Sequence, residues 1–392
     1  MTGKTKGWKT MLDRIMGKTD EARLRQAWLG NTRCHLPGRA GRFPDLLPAL
    51  LIPHLITAER LLRGTTRANQ QGREVPMDML LMRRGERWHL RTDTLGSLCA
   101  RGLSFVLNGV DEDVPAIGAL NAAIERDWRV DCWTNAYWSH GRASAFAPHA
   151  DDHNVLILQL SGAKHWRCWG PLEPFPVKAR RYGPDQLQQP EWEGILQPGD
   201  VLFVPRGDVH VAELVGPSSL HLTVAVRPPW VRELPAMLWA GKQEDEFSRH
   251  DVPVQPGADF TAVESWVRAV ADTLDTAAAL DRWDRTRVPY TPLNLGVVVR
   301  EGTLLASPFR RRIPAERQED GSYQITPAGW PLVLAAGEWQ VLAFLHTAGA
   351  MTSGQLTQAL AGIDARAAVD ALIQRGLLFA LEPSDYGVAS WQ

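Results

Sequence analysis

The stretch Pro148-His149-Ala150-Asp151-Asp152-His153-Asn154-Val155-Leu156-Ile157-Leu158-Gln159-Leu160 decides how this chain is read, because two signals of different kinds meet in it. Its second half is an apolar run with the length and composition of a buried β-strand. Its first half sets a histidine and an aspartate two residues apart, and alternate residues of an extended strand project to the same side. His149 and Asp151 therefore point together while Ala150 points away. A second histidine, His210, follows the strand-like segment Val201-Leu202-Phe203-Val204-Pro205 and must arrive from another strand. Two imidazoles and one carboxylate hold one face of an octahedral Fe(II) and leave three positions open for a cosubstrate and dioxygen. The expected metal ligands are His149, Asp151 and His210. H-x-D by itself is common by chance, and histidines at strand ends are usually ordinary hydrogen-bonded residues. Position argues for the metal, since the pair precedes a strand and the third group follows one. His153 has the same parity as His149 and Asp151 and competes with them, but a fourth ligand would use up an open position.

Working outward, Ser161-Gly162-Ala163-Lys164 reads as a turn and His165-Trp166-Arg167-Cys168-Trp169 as a returning strand. Gly194-Ile195-Leu196-Gln197, Pro198-Gly199-Asp200 and Val201 to Pro205 read as a hairpin, and Leu220-His221-Leu222-Thr223-Val224-Ala225-Val226 as a last strand. Short strands at this spacing give the rhythm of a double-sheet β-barrel.

These residues resemble a family. The run from Pro148 to Arg167, with Leu107-Asn108-Gly109-Val110, Asn135-Ala136-Tyr137 and Pro198-Gly199-Asp200-Val201-Leu202-Phe203-Val204-Pro205 to His210, is similar to the core of JmjC (cupin-4-like) hydroxylases of the ribosomal oxygenase branch over most of residues 95 to 230. The resemblance implies Fe(II)- and 2-oxoglutarate-dependent hydroxylation of a side chain in a protein or peptide, with O2 as the second cosubstrate. It puts the iron ligands on His149, Asp151 and His210 and the basic partner of the distal 2-oxoglutarate carboxylate on Lys164. It also puts Asn135 and Thr223 in the cosubstrate pocket, with His221 beside them on the strand face of Thr223. An ammonium at Lys164 offsets the cost of burying that carboxylate. One position departs from the pattern. Where relatives that hydroxylate histidine carry a serine that helps to hold the substrate imidazole, this chain has Ala225, so another target side chain is open.

The expected class is α+β: a double-stranded β-helix (jelly-roll, cupin-type) JmjC barrel, then a helical dimerisation region, then a C-terminal winged-helix domain. The expected divisions are 1–95, an N-terminal elaboration of the barrel; 96–230, the catalytic barrel; 231–289, the helical region; and 290–392, the winged helix. The elaboration mixes helical segments with short strands, among them Phe43 to Leu51 and Met77 to Arg84. In the helical region Thr261-Ala262-Val263-Glu264 has the form of a capping box, and Val263, Trp266, Val267, Val270 and Leu274 recur at helical spacing. The resembled family dimerises through this segment, which makes Trp266 an interface candidate and a homodimer the expected assembly. Further on, helices are expected at about 336–347, 352–360 and 365–375 and a strand at 377–381, with Thr352-Ser353-Gly354-Gln355 as a capping box and Gly349 and Gly376 as stops.

A chain of 392 residues, 44% hydrophobic and 22% charged, is long enough for about two or three domains with a substantial core. The N-terminal Met1 to Gly7 is basic but no apolar signal-peptide core follows, and no stretch approaches about 18 uninterrupted apolar residues, so a cytoplasmic protein with no membrane partner is expected. Cys34, Cys99, Cys132 and Cys168 show no C-x-x-C spacing, which argues against zinc ribbons and disulfide frameworks. A net charge of −1 provides no global field for nucleic acid. The densest basic cluster, Arg310-Arg311-Arg312, reads as a solvated loop or wing rather than a phosphate contact, and the expected recognition helix, Asp364 to Arg375, has two arginines offset by two aspartates. Protein or peptide is the expected partner. Of the sixteen tryptophans, Trp133, Trp138, Trp166 and Trp169 are expected in the barrel wall with their indole N–H groups satisfied. Two other classes stay open: a cupin-type metalloenzyme that does not use 2-oxoglutarate, and a nucleic-acid-binding winged-helix protein with a non-catalytic barrel.

Overall fold

Two long strands organise the barrel. The computed structural model describes residues 17–38, 46–70, 72–141, 146–239, 245–252, 259–273, 275–286, 298–327 and 330–381. The strands that bear on the site are β1 (Cys34–Leu36), β2 (Thr66–Gln70), β3 (Ser104–Leu107), β4 (Asp131–His140), β5 (His149–Ala150), β6 (Asn154–Pro171), β7 (Trp192–Leu196), β8 (Val201–Val204) and β9 (Asp208–Arg227). They lie in one sheet in the order β1-β8-β6-β9-β4-β3-β2, with β5 beside the start of β9 and β7 beside the second half of β6. All these pairings are antiparallel.

β6 and β9 pair along almost their whole lengths in two ladders, Asn154 to Ser161 against Val226 to Leu220 and Ala163 to Pro171 against Val215 to Asp208. The register shifts between the ladders, where Gly162 has φ +60°, and a Cβ there would lie 2.0 Å from the Ser218 carbonyl oxygen. Only glycine allows the two backbones to meet so closely at the bend. The Gln159 side-chain amide donates to the carbonyls of Ser161 and Gly162 and to Ser219 Oγ, which staples it. The segment 161–164 is therefore a bulge within one continuous strand and not the expected hairpin turn. Lys164 stands in the strand, paired with Leu196 on one side and Leu214 on the other.

Pro198-Gly199-Asp200 is also a correction. β7 pairs with residues 164–168 and β8 with residues 155–158, so the segment between them turns a corner from one ladder of β6 to the other. Asp200 closes the corner: its Oδ2 accepts from the Gln197 N–H at 2.9 Å, and its own N–H donates to the Gln197 carbonyl at 2.9 Å.

Both faces of the central strands are buried. On one face Leu156, Leu158, Phe203, Leu222 and Val224 pack with Ile117, Leu120 and Ile124. These last three lie on a helix over Pro115–Trp128. On the other, Val155, Ile157, Trp166, Leu196 and Leu202 form the inner cluster. A fully buried leucine or isoleucine is worth about 1.5–3 kcal/mol, so the outer layer fixes the strand parity that the inner face uses.

Beyond the barrel, the helix Thr261–Asp272 begins one residue away from the expected cap. Thr261 lies inside it, and Asp259 Oδ1 accepts from the Thr261 N–H and hydroxyl. Trp266 packs against Trp239 and Phe247 of the same chain, with ring centroids 4.8 and 5.8 Å away. Leu274, Phe43 to Asp45, Met1 to Gly7 and the expected division at 289/290 lie outside the described residues. The C-terminal helices span Ala336–Ala348, Ser353–Ala359 and Ala365–Gln374, near the expected positions, around a core that includes Leu305, Leu342, Leu356 and Leu372. Strand Leu304–Ala306 lies between Met351–Thr352 and Phe379–Leu381. Thr352 and Gln355 make the reciprocal capping box, and Gly349 and Gly376 have positive φ.

The basic cluster departs most from expectation. Arg310 and Arg311 are buried, not solvated. Arg310 pairs with Asp111 at 3.1 Å, while Arg311 pairs with Asp131, lies within 4.0 Å of carboxylate oxygens of Glu125 and Asp284, and covers the Trp283 ring at 4.0 Å. Asp111 and Glu125 in turn accept the backbone N–H groups of Thr134 and Cys132 on β4. The two arginines bind the C-terminal part of the chain to the barrel. Among the described residues no helix is long and apolar enough to cross a membrane.

Candidate metal centre

The antiparallel register of β5 and β9 sets His149 directly opposite His210. Asp151 follows β5 immediately, and its carbonyl accepts the Gly207 N–H at 3.0 Å, which ties its turn to the start of β9. Ligand atoms of His149, Asp151 and His210 all lie within 4.8 Å of one another, and His210 Nε2 is 3.8 Å from Asp151 Oδ2. The expected trio is thus brought together from two strands and one turn. His149 Nδ1 donates to the Ala147 carbonyl at 3.0 Å and His210 Nδ1 to the Asp208 carbonyl at 2.9 Å. Each bond fixes the tautomer and leaves Nε2 with its lone pair free, the arrangement that backbone carbonyls impose on metal-ligating histidines.

Electrostatics agree with the geometry. Burial, with the neighbouring His149, pushes His210 down to about 4, so it is neutral near pH 7. Burial alone would raise Asp151, but the facing imidazoles of His210 and His149 hold its carboxyl below the usual range. Unprotonated imidazoles and an ionised carboxylate are the forms that bind a divalent cation, so the residues fit the metal expected of them. His153 is not part of the trio: its Nδ1 donates to Asp152 Oδ1 at 2.8 Å and its ring lies 4.8 Å from that of Trp133.

A cavity runs from this trio into the barrel, past Tyr137, Trp166, Thr223 and His221 to Lys164 and Ser139. Lys164 is 5% exposed, and among the described residues no carboxylate lies within salt-bridge distance of its ammonium. Burial alone pushes it down to about 7. Thr223 lines the cavity as expected. Asn135 shares the strand parity of Tyr137 and Ser139 but is not in the lining, and its Oδ1 accepts the Gly109 N–H at 3.1 Å. Ala225 is buried opposite Trp133 and Val155 and does not line the cavity.

Sequence reasoning missed Tyr137, Ser104 and Ser139. Tyr137 stacks on His221 with centroids 4.8 Å apart and planes within 6°, and burial pushes its phenol up to about 12. Ser104 Oγ and Ser139 Oγ are hydrogen-bonded at 2.8 Å. The signal was strand parity: Tyr137 and Ser139 follow Asn135 at steps of two on β4, and Tyr137 lies opposite His221. The expectation of satisfied indoles holds for Trp169, which donates to the Gln188 carbonyl at 2.7 Å, and fails for Trp166, whose buried Nε1 has no partner among the described residues.

The profile of the JmjC domain matches residues 119–234, the stretch that carries all three members of the trio and Lys164. Residues 119–234 are a JmjC domain. Relatives of this JmjC domain include the bifunctional lysine-specific demethylase and histidyl-hydroxylase NO66 of Drosophila willistoni, 34% identical over 138 residues, which are 34% of this chain and 18% of that protein. Ribosomal oxygenase 2 of Mus musculus is 31% identical over 159 residues, 36% of this chain and 34% of its own length. The chain thus spans a minor part of the curated relatives it matches. Among solved structures, YcfD, a ribosomal oxygenase from Escherichia coli in complex with cobalt and 2-oxoglutarate, superposes with a TM-score of 0.55 over 92% of this chain and 98% of that one at 17% identity. At that identity the likeness establishes a shared fold.

Proposed function

We propose that this protein is an Fe(II)- and 2-oxoglutarate-dependent oxygenase that hydroxylates an amino-acid side chain of a protein or peptide. One observation carries the reading: a single cavity has two neutral imidazoles and a carboxylate at one end and, at the other, a buried ammonium without a counter-ion. That combination suits a divalent metal and an anion reaching away from it. His149, Asp151 and His210 hold the iron. Bound there, Fe(II) supplies the activation of dioxygen that no protein side chain can provide. Lys164 neutralises the distal carboxylate of 2-oxoglutarate, Thr223 offers it a hydroxyl, and Asn135 supports the pocket by holding the Gly109 backbone against β4. Tyr137 and Trp166 wall the cavity and limit water.

The relatives' names, histidyl-hydroxylase and ribosomal oxygenase, support a protein substrate, either a ribosomal protein or a ribosomally made peptide. Ala225 supports a target other than histidine, since a buried imidazole there would lack a hydroxyl partner. We read 1–95 as the elaboration of the barrel, 96–230 as the catalytic barrel, 231–289 as the dimerisation region of a cytoplasmic homodimer and 290–392 as a winged-helix domain that recruits protein. Exposed Phe260 and Val267 support the dimer. In the winged helix Arg366 pairs with Asp370 and Arg375 with Glu338, which takes both arginines of the expected recognition helix away from phosphate and supports protein over nucleic acid. A cupin enzyme that does not use 2-oxoglutarate would leave Lys164 without a purpose that repays its burial.

The test is turnover. Purified protein with Fe(II) and 2-oxoglutarate should release succinate and CO2, and intact-mass comparison of ribosomal proteins and small peptides with and without the enzyme should reveal the mass of one added oxygen atom. Fe(II)-dependent product without 2-oxoglutarate consumption would favour the cupin alternative.

A further inference from the structure

The inner end of the cavity holds more donors than one carboxylate anchor requires. Beside Lys164, His221 is 2% exposed, lines the cavity, and its Nδ1 has no hydrogen-bond partner among the described residues. The Trp166 indole N–H, in the same lining, has none either. A buried polar group left unpaired costs about 1–3 kcal/mol, and two beside an uncompensated ammonium form an arrangement that a protein has no reason to keep empty. Every one of these groups donates, or donates in one tautomer, and the only carboxylate in the lining is Asp151, which belongs to the trio. The complement is an anion with several lone pairs.

His221 is held firmly enough to direct its ring. One face stacks on Tyr137, and Trp166 meets it edge-on with centroids 5.6 Å apart. Burial, aided by the charge of Lys164, keeps it neutral, the state in which Nδ1 bears a proton in one of two tautomers. Its strand pairing sets it opposite Tyr137 on β4 and Gln159 on β6, next to the bend that closes the barrel.

We infer that His221 is a second anchor for the distal carboxylate of the cosubstrate: its Nδ1–H donates to the oxygen that Lys164 leaves free, and the pair makes the pocket selective for 2-oxo acids with a second carboxylate. The inference rests on the oxygenase reading and adds a residue that determines which oxo acid is accepted. Thr223 on the same face and the Ser104–Ser139 hydroxyl pair complete a polar end wall. A cosubstrate without the distal carboxylate would leave Lys164 and His221 unpaired and would bind weakly for that reason.

The full chain loaded with Co(II), which need not turn over, is titrated calorimetrically with 2-oxoglutarate and with 2-oxobutyrate, a 2-oxo acid that lacks the distal carboxylate. His221→Phe keeps a ring to stack on Tyr137 and loses the donor, while His221→Asn keeps an N–H near the Nδ1 position. The expected result is at least about a tenfold loss of 2-oxoglutarate affinity in the Phe variant, unchanged 2-oxobutyrate affinity, and partial recovery in the Asn variant, with wild-type circular dichroism for both. Equal losses for both acids would mean that His221 only shapes the cavity, and wild-type affinity in the Phe variant would remove it from the anchor; either overturns the inference alone. If the wild-type chain binds no 2-oxoglutarate, the oxygenase reading falls and takes the inference with it. If the Phe variant does not fold, the Asn variant decides: discrimination between the two acids close to wild type supports the anchor, and loss of both equally overturns it.

Discussion

The barrel cavity and the arginine junction both bury charge, and they are built in opposite ways. At the junction each buried cation meets carboxylates: Arg310 has Asp111 and Glu125, Arg311 has Asp131, Glu125 and Asp284, and the backbone of β4 fills remaining acceptor sites. In the cavity Lys164 has no carboxylate among the described residues, and Trp166 and His221 each keep an unpartnered nitrogen. Desolvating a charge costs several kcal/mol, so a folded chain either pairs it or keeps it for something that arrives later. The junction is structure. The cavity is a receptor.

The largest effect expected from this contrast is at the metal trio. His149→Ala, Asp151→Ala and His210→Ala should each abolish hydroxylation, measured as succinate release, while circular dichroism of the metal-free protein stays that of the wild type. Iron loss on His153→Ala with retention on His210→Ala would mean that the ligands are misassigned. Next comes the junction. Arg311→Met leaves three buried carboxylates short of a cation and should cost about 3–5 kcal/mol in chemical denaturation, while 2-oxoglutarate binding to the remaining folded protein is unchanged. A stability loss under about 1 kcal/mol would show that the junction is not the clamp described.

Lys164→Met should show the converse pattern. With no counter-ion to strand, the variant without cosubstrate should be no less stable than the wild type, yet its requirement for 2-oxoglutarate should rise about a hundredfold with its iron requirement unchanged. An unchanged apparent affinity would take Lys164 out of the site. The smallest effect is on pH. The unfolded chain keeps the Lys164 proton up to the model value of 10.5, whereas the folded chain, without cosubstrate, releases it above about 7. The unfolded state therefore binds more protons between those values, and stability of the cosubstrate-free protein should rise with pH across that window. Binding of the dicarboxylate should be accompanied by proton uptake above pH 7, seen as a dependence of the binding heat on buffer ionisation enthalpy, and Lys164→Met should lose it.

The same contrast explains what was legible in the sequence. His149, Asp151 and His210 could be read because metal chemistry restricts residue type and strand parity restricts spacing. The C-terminal helices could be read because their caps are local, as in Thr352 with Gln355. Arg310 and Arg311 could not, since their partners lie up to 199 residues earlier and nothing near them in sequence distinguishes a solvated arginine from a buried one. Ser161-Gly162-Ala163-Lys164 was misread for a related reason. Serine, glycine and lysine compose a turn as readily as a bulge, and only the approach of Ser218 from β9 decides between them. Tyr137 and Ser139 were within reach, because the parity that selected Asn135 also selects them.

The most direct test is succinate formation from 2-oxoglutarate under air with added Fe(II), compared among the wild type, Arg311→Met held below its melting temperature, and His210→Ala. If the cavity is a receptor and the junction is structure, the wild type and Arg311→Met release succinate and His210→Ala releases none. Succinate from His210→Ala at the wild-type rate, or its absence from the wild type with any protein or peptide substrate, would contradict the account.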